Sequence, residues 1–149
     1  MRFQFTTLSF EALTPQQLYA YLQLRSEVFV VEQNCVYQDL DNLDQESLHV
    51  LVYDAQLLVA CARIVSANEK YTNISIGRVI VAETHRKQDL GHALMQHCIQ
   101  EIEARFGKQK IVLSAQAHLQ NFYKKHNFAP QGAIYLEDGI PHIHMERMQ

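Results

Sequence analysis

The chain has 149 residues, of which 48% are hydrophobic, so it can bury one core and is too short for two ordinary domains. Its formal net charge is −3, with 13 basic and 16 acidic residues, and this balance provides no positive field to hold a nucleic acid. No apolar run approaches the ~20 residues of a membrane-spanning helix. Distant cysteines without a CxxC pair, in a chain that lacks a secretory pattern at its start, indicate a cytoplasmic protein. We therefore expect one domain over residues 1–149, with neither a nucleic-acid nor a membrane partner.

The first predicted elements are a strand and a helix. The segment FQFT alternates apolar and polar side chains, which places Phe3 and Phe5 on one face of a half-buried strand. A helix then begins near residue 14, because Thr14 can cap it, Pro15 suits its first position and Gln17 completes a capping box. The side chains expected on one face of this helix are Leu18, Leu22, Arg25 and Phe29.

An acidic loop and three β-rich segments follow. The loop DLDNLDQE lacks the spaced ligands and central glycine of a calcium-binding loop, so we interpret it as a solvated loop. The segments SLHVLVYD and QLLVACARIVS are separated by little more than Ala55, which predicts a tight hairpin. Together with NISIGRVIVA they form a predicted antiparallel meander.

The rest of the chain alternates between helices and strands. An apolar stripe at helical spacing predicts a long helix that ends at Gly107. Its members are Leu90, Leu94, Cys98 and Ile102. The short segment KIVLSA is a predicted strand parallel to NISIGRVIVA, joined to it by a right-handed crossover. A second helix ends at Asn127 in a left-handed turn, and its apolar side comprises Leu119, Phe122, Tyr123 and His126. Two strands, FAPQGAIYLE and PHIHMERM, then flank the turn EDGI.

The junction VIVAETHRKQDLGHALM, residues 79–95, carries the clearest functional signal. A strand gives way to a helix near Leu90, so the first helical amides lack an intrahelical acceptor and favour an anionic ligand. Gly91 would let a ligand approach the backbone, and Arg86 and Lys87 add positive charge. The junction is neither a P-loop nor a dinucleotide fingerprint, because it lacks the GK[ST] sequence and two of three glycines. It predicts a phosphate or diphosphate site, with an ordinary packing turn as the alternative.

Two motifs resemble those of the GNAT N-acetyltransferase family. Arg86-x-x-Asp89-x-Gly91, followed by Leu94, is similar to the acyl-CoA loop of this family, Q/R-x-x-G-x-G/A. AHLQNFYKKHNF is similar to its late helix, which ends in a tyrosine. The segments LQLRSEVFVVEQNCVYQDLD, GRVIV, AQAHLQNFY and EDGIPHI further resemble the ElaA-type subgroup. The resemblance covers nearly the whole chain and implies an α/β (α+β) fold of the GNAT acyl-CoA N-acyltransferase type, with a mixed central sheet of about seven strands flanked by helices.

The resemblance also implies a site for acetyl-CoA as the cosubstrate. Val79, Ile80 and Val81 would offer backbone groups to the pantetheine arm. The residues that would cradle the diphosphate are Arg86, Lys87, Gln88, Asp89, Leu90, Gly91 and His92. Asp89 stands where the family has a glycine, and its carboxylate would repel the diphosphate unless it caps the helix. Gln116 stands where the family often has an asparagine, and it would make the same hydrogen bonds with a longer side chain.

The resemblance implies two catalytic roles, an acid that protonates the CoA thiolate and a base that deprotonates the acceptor amine. Tyr123 matches the family's tyrosine that protonates the departing CoA thiolate, with core packing as its alternative role. His142 is the base candidate that we select, while His144, Glu32 and His49 stay alternatives, and a structural or solvent-facing role is the other interpretation of each histidine. His142 and His144 share a predicted strand face, but no third ligand is spaced to join them, so no metal is expected.

Three arginines, Arg25, Arg63 and Arg78, interrupt apolar segments. A buried arginine is costly unless it is paired, so one interpretation is ion pairs with Glu27, Glu32 or the acidic loop. The other is a carboxylate-binding pocket for an anionic acceptor. The acceptor-binding set would then comprise Arg25, Glu32, Arg63 and Arg78.

Together these features predict an enzyme that moves an acetyl group from acetyl-CoA to a primary amine of a small molecule or peptide. We expect direct transfer in a ternary complex, because no cysteine matches a nucleophile position. A non-catalytic acyl-CoA-binding regulatory module is the alternative, and a generic nucleotide-binding domain is a third reading. The acceptor and the oligomeric state stay open, and a homodimer is among the expected states.

Overall fold

The computed structural model describes residues 2–148, and within them the chain forms one seven-stranded sheet. The strands are β1 (Phe3–Ser9), β2 (Leu48–Asp54), β3 (Leu57–Val65), β4 (Ile74–Val81), β5 (Ile111–Gln116), β6 (Phe128–Glu137) and β7 (Ile140–Arg147). Their spatial order is β1-β2-β3-β4-β5-β7-β6. Every predicted β segment is therefore a strand, and the mixed sheet of about seven strands is confirmed.

Only one pair of neighbouring strands in this sheet is parallel. β1 to β4 form the predicted antiparallel meander, and β5, β7 and β6 form a second antiparallel group. β4 and β5 join the two groups in parallel, as expected for strands connected through a helix. Their pairing is limited to Ile74 with Ile111 and Ser75 with Val112, and beyond these positions the two strands diverge.

The first helix, α1 (Pro15–Arg25), begins as predicted. The Thr14 hydroxyl accepts a hydrogen bond from the Gln17 amide, and the Gln17 side chain accepts one from the Thr14 amide. The sequence predicted a regular helix through Phe29, but residues Ser26–Glu32 form wider π-helical turns. These turns fall on a segment rich in valine, and β-branched side chains fit regular helical turns less well than straight ones do.

Two further helices follow, α2 (Leu90–Phe106) and α3 (Gln120–Lys124). α2 ends at Gly107, whose φ is 83°, as the sequence predicted. α3 is shorter than predicted, because Leu119 lies in a preceding 3₁₀ turn and His126 follows the helix. Asn127 adopts the expected left-handed conformation with a φ of 67°. Within residues 2–148 no helix has both the length and the apolar character needed to cross a membrane.

The helices cover opposite faces of the sheet and create two apolar clusters. On one face, Leu94 and Ile102 of α2 pack with Ile76 of β4 and Leu113 of β5. On the other face, Tyr21 and Leu24 of α1 pack with Leu51, Cys61 and Ile80. The first cluster spans both antiparallel groups, so α2 holds them together below the point where β4 and β5 diverge.

A bulge in β4 determines which face of the sheet the side chains that follow it lie on. Cys61 pairs with Ile80 and Arg63 pairs with Gly77, so β4 contains one residue more than β3 between these pairs. Arg78 absorbs the extra residue with a φ of 50°. Since one inserted residue exchanges the two faces of a strand, Ile80 packs under α1 although Ile76 packs under α2.

The acidic loop is an ion-pair partner for the three arginines. Arg25 is fully buried, and its guanidinium donates to Asp39 and Asp44, each at 2.8 Å. Arg63 donates two hydrogen bonds of 2.8 Å to Asp41. Arg78 lies 2.6 Å from Asp39. Of the partners predicted from the sequence, the acidic loop is therefore the observed one, and the loop is fixed to the sheet.

We predict that Asp44→Asn lowers the free energy of unfolding by about 3 kcal/mol, because it leaves the buried Arg25 and Arg63 short of one negative charge. Denaturant unfolding measures this change. Glu27→Gln is the matched control: Glu27 is exposed, so a change within about 0.5 kcal/mol is expected. Equal effects of the two substitutions would contradict a structural role of the network.

The same network predicts a loss of stability in acid. Burial opposes ionisation of Asp41, but Arg63 outweighs it and lowers the pKa of this carboxyl from 3.8 to about 2. The native state thus holds fewer protons than the unfolded chain in this range, and the stabilisation is present above about pH 4. It should disappear as the pH falls from about 4 to about 2.

Candidate active site

The divergence of β4 and β5 opens a cleft of about 370 Å³. Its walls come from the π-helical turns and the following loop, from the diverging strands, from α3 and from β7. Residues that represent these walls are Gln33, Val79, Gln116, Tyr123 and His142. The cleft therefore gathers residues that are far apart in the sequence, including both predicted catalytic residues.

One wall of the cleft is the unpaired edge of β4. Beyond Ser75, the described part of the chain supplies no strand to pair with this edge, and the Val81 carbonyl there accepts a hydrogen bond of 3.0 Å from Nε of Arg86. Val79 lines the cleft, while the Ile80 side chain is buried under α1. An unpaired edge of this kind can add an extended, amide-containing ligand by ordinary ladder hydrogen bonds.

The loop that leads to α2 has a strained backbone. Lys87 and Asp89 adopt left-handed φ values of 64° and 59°, which non-glycine residues seldom do. Asp89 occupies the cap position of α2 but makes no side-chain cap hydrogen bond, so capping does not turn its carboxylate away from the expected diphosphate position. The first amide of α2 with an intrahelical acceptor is that of Ala93, bonded to the Asp89 carbonyl at 3.1 Å. The amides of residues 90–92 precede it, as at the start of any helix.

Gly91 serves the packing of α2 against α3. A Cβ atom at this position would lie 3.2 Å from Cε1 of Phe122, so the missing side chain makes room for an aromatic ring. His92 stacks on the same ring at a centroid distance of 4.5 Å. Its Nδ1 lies 2.9 Å from Nε2 of His126, which ties the first turn of α2 to the second residue after α3. The proposed approach of a ligand to Gly91 stays a prediction.

The remaining loop residues differ in their accessibility. Lys87 is exposed, and its amine is available for an anion. Gln88 accepts a hydrogen bond of 3.1 Å from Nη1 of Arg2. Arg86 is held by Glu32, whose carboxylate receives two hydrogen bonds of 2.7 and 2.8 Å from the guanidinium. The hydrogen bonds from Arg86 lower the pKa of Glu32. This carboxylate is therefore ionised at neutral pH, and it is already paired with Arg86.

Residues 32–35, which we call the strap, cross the cleft from one sheet group to the other. Glu32 binds Arg86 just after β4. Gln33 accepts a hydrogen bond of 3.3 Å from Gln116 at the end of β5. The Cys35 thiol donates to the carbonyl of Asp138 at 3.3 Å, between β6 and β7. Two predicted cofactor-binding residues, Arg86 and Gln116, are thus engaged by the strap.

Tyr123 combines a buried ring with a place in the cleft wall. The residue is 8% exposed and packs edge-on against Phe122 and Phe128, with centroid distances of 5.0 and 6.2 Å. Burial raises the pKa of its phenol to about 12, above the ordinary value of about 10. The phenol therefore stays protonated at neutral pH, and both sequence interpretations of Tyr123, core packing and catalysis, describe part of its environment.

His142 is the base candidate that the structure places in the cleft. Its Nδ1 donates to the Ile140 carbonyl at 2.7 Å, which fixes the tautomer and leaves Nε2 to accept a proton. Nε2 lies 3.5 Å from Oε2 of Glu137. Glu137 was not singled out from the sequence; its position beside the EDGI turn carried no signal for a role in the cleft.

The other base candidates are less available. His49 is fully buried, and both of its nitrogens are used, by the Tyr21 hydroxyl at 2.7 Å and the Asp44 carbonyl at 2.8 Å. His144 lies 3.1 Å from Glu146. Glu32 is paired with Arg86. Among the acceptor-binding candidates, Arg63 and Arg78 line the cleft, but Arg25 has no exposed surface with which to contact a ligand.

Comparison with known proteins places these features in a family. The model of the acetyltransferase (GNAT) domain matches residues 9–148, so the chain belongs to the GNAT acetyltransferases. Protein ElaA from Escherichia coli (strain K12) is 46% identical over 137 residues, which cover 91% of this chain and 90% of ElaA. Because the chain belongs to this family, the protein is an acyltransferase.

Solved structures agree with the sequence comparison. The crystal structure of an acyl-CoA N-acyltransferase from Pseudomonas aeruginosa superposes with a TM-score of 0.92 at 41% identity, covering 97% of this chain and 99% of that one. The crystal structure of Escherichia coli ElaA gives a TM-score of 0.91 at 43% identity, with the same coverage of 97% and 99%. The resemblance to the ElaA-type subgroup and the GNAT fold are thus confirmed.

We predict that Glu32→Gln strengthens coenzyme A binding, because it removes the anion that competes for Arg86. The dissociation constant should fall by up to about fivefold, the value of one exposed ion pair. Calorimetric titration with coenzyme A measures it, and Glu27→Gln on the same segment is the control. Weaker binding by Glu32→Gln would instead mean that Glu32 orients Arg86 for the ligand.

Proposed function

We propose that this protein transfers the acetyl group of acetyl-CoA directly to a primary amine held in the cleft. The observation that supports this proposal is that the end of β4, beside the cleft, and the start of α2 lie next to each other. The unpaired edge of β4 borders the cleft that contains Tyr123 and His142. The start of α2 lies beside the end of this strand, where a Cβ atom at Gly91 would be 3.8 Å from Cγ2 of Val81. GNAT proteins bind acetyl-CoA or CoA, and these features suit its amide-rich arm and its diphosphate.

The residues present fit this cosubstrate with one departure. Residues 79–81 offer ladder hydrogen bonds, and the amides of residues 90–92 with Lys87 offer donors and charge for the diphosphate. Arg86 joins them when Glu32 releases it. Asp89 is the departure, because its carboxylate is not used in capping and adds negative charge beside the diphosphate position.

The chemistry requires a base, an acid and no covalent intermediate. His142 accepts a proton from the acceptor ammonium at Nε2, which yields the neutral amine that attacks the thioester. The nitrogen–carbon bond forms and the carbon–sulfur bond breaks. Because the pKa of Tyr123 is raised to about 12, its phenol suits hydrogen-bond donation to the developing thiolate better than complete proton transfer.

Direct transfer is supported by the state of the cysteines. Cys61 and Cys98 are completely buried, and burial raises the pKa of both thiols. The Cys35 thiol donates a hydrogen bond to the backbone carbonyl of Asp138. Thiols in these states are poor nucleophiles.

The acceptor binds on the side of the cleft that carries charged and hydroxyl groups. Arg63 and Arg78 line this side, and Nε of Arg63 is the buried side-chain donor in residues 2–148 that lacks a partner. An acceptor oxygen would satisfy it, which supports an acceptor with a carboxylate or another oxygen near its amine. Small-molecule and peptide amines both meet this description.

We predict that Tyr123→Phe lowers turnover about tenfold or more while the affinity for acetyl-CoA stays within a factor of about two, because only a transition-state hydrogen bond is removed. Release of free CoA thiol in the presence of a panel of amines measures turnover, and calorimetry measures affinity. Tyr19→Phe is the matched control, since Tyr19 is 74% exposed on α1.

Two outcomes would contradict parts of this proposal. Unchanged turnover by Tyr123→Phe would remove its catalytic role. Binding of acetyl-CoA by the unaltered protein without thiol release on any amine would instead favour the alternative, a regulatory module that binds acyl-CoA.

A further inference from the structure

An amine of this chain already lies at the acceptor side of the cleft. Lys70 is located in the loop between β3 and β4, and its side chain lines the same cleft as Tyr123 and His142. Its Nζ lies 3.2 Å from Oε1 of Glu137 and 5.3 Å from the ring centroid of Tyr71. A carboxylate beside an aromatic ring is a binding site for an alkylammonium group.

The backbone around Lys70 is fixed in this position. The Asn68 side-chain oxygen accepts hydrogen bonds from the amides of Lys70 and Tyr71, at 2.8 and 3.3 Å. The Asn68 amide in turn donates to the Tyr71 carbonyl at 2.7 Å. These bonds close a turn, so the Lys70 side chain starts from a defined point at the cleft. The side chain itself is 59% exposed.

The carboxylate of Glu137 lies between the proposed base, His142, and the Lys70 amine. Glu137 contacts Lys70 through Oε1 and approaches Nε2 of His142 through Oε2, at 3.5 Å. Burial alone would lower the pKa of Lys70, but the interactions with Tyr71 and Glu137 outweigh it and raise this pKa above its usual value. The amine is therefore an ammonium at neutral pH, and it can attack only after a base removes a proton.

From this arrangement we propose that the Lys70 amine occupies the position of the acceptor amine. It is acetylated within its own chain when acetyl-CoA is bound and no external amine competes. This inference rests on the proposed function. The Lys70 ammonium loses one proton to His142, and its nitrogen attacks the acetyl carbonyl carbon. A nitrogen–carbon bond forms while the carbon–sulfur bond breaks, and the sulfur, stabilised by a hydrogen bond from the Tyr123 phenol, takes up the second proton lost by the nitrogen and leaves as CoA thiol. The products are an amide at Lys70, CoA thiol and one released proton.

Incubation of the full chain with acetyl-CoA and no added amine tests the proposal. Intact-mass measurement follows the acetyl groups per chain, and peptide mapping locates them. Lys70 should be acetylated at least about tenfold faster than the exposed Lys108 and Lys124, because a positioned amine has a high effective concentration. Lys70→Arg should abolish this fast step, since arginine keeps the charge beside Glu137 but offers no amine. Lys124→Arg is the matched control and should leave it in place.

Two further measurements separate enzymatic from chemical acetylation. Tyr123→Phe should slow modification at Lys70 and leave that at Lys108 unchanged. The rate per chain should not change on dilution, whereas a rate proportional to protein concentration would overturn transfer within one chain.

The failure of this inference differs from the failure of the proposed function. Thiol release with an external amine, together with Lys70 acetylated no faster than Lys108, would overturn the inference alone. No binding of acetyl-CoA and no thiol release with any amine would overturn both.

Discussion

The site depends on one constraint, the short pairing between β4 and β5. Each strand has a partner on its other side: β4 pairs with β3 except at the bulge, and β5 pairs with β7 along its whole length. The groups meet at only two residue pairs, and the core formed by α2 holds them together below the gap. This opening leaves one edge of β4 without a neighbouring strand. The backbone N–H and C=O groups of such an edge can form hydrogen bonds with a ligand or with a segment that covers them.

The acidic loop and the strap give the gap its second wall. The carboxylates of Asp39, Asp41 and Asp44 hold this loop against the sheet through three arginines, and Arg78 presents its guanidinium from the bulge in β4. The strap then crosses the gap through contacts with Arg86, Gln116 and Asp138. If the diphosphate of the cosubstrate binds Arg86 as proposed, it competes with the Glu32 carboxylate, and binding is then coupled to release of the strap.

Local sequence patterns predicted most of the fold. Alternation identified the meander, helical spacing identified α2 to its terminal Gly107, and the capping box located the start of α1. Each of these signals is carried by neighbouring residues, so it survives in a single sequence. The junction between β4 and α2 was located in the same way, since its residues are contiguous and follow a strand, and its role in binding acyl-CoA stays a prediction.

The features that escaped prediction depend on long-range contacts. The pairing of Glu32 with Arg86 joins residues 54 positions apart, and nothing local to either indicates the other. The bulge in β4 uses a left-handed arginine where a sequence pattern would lead one to seek glycine. Glu137 and Lys70 become neighbours only when the turn between β6 and β7 is placed over the loop that precedes β4. The strap likewise needs the wide turns at residues 26–32, which no simple periodicity reveals.

Amide hydrogen exchange with and without coenzyme A tests the central claim most directly. If the unpaired edge of β4 and the start of α2 hold the cosubstrate, saturating coenzyme A should slow exchange at residues 79–81 and 90–92, while β1 and β2 exchange as before. Binding that can be measured by calorimetry but leaves the exchange of both segments unchanged would contradict this account.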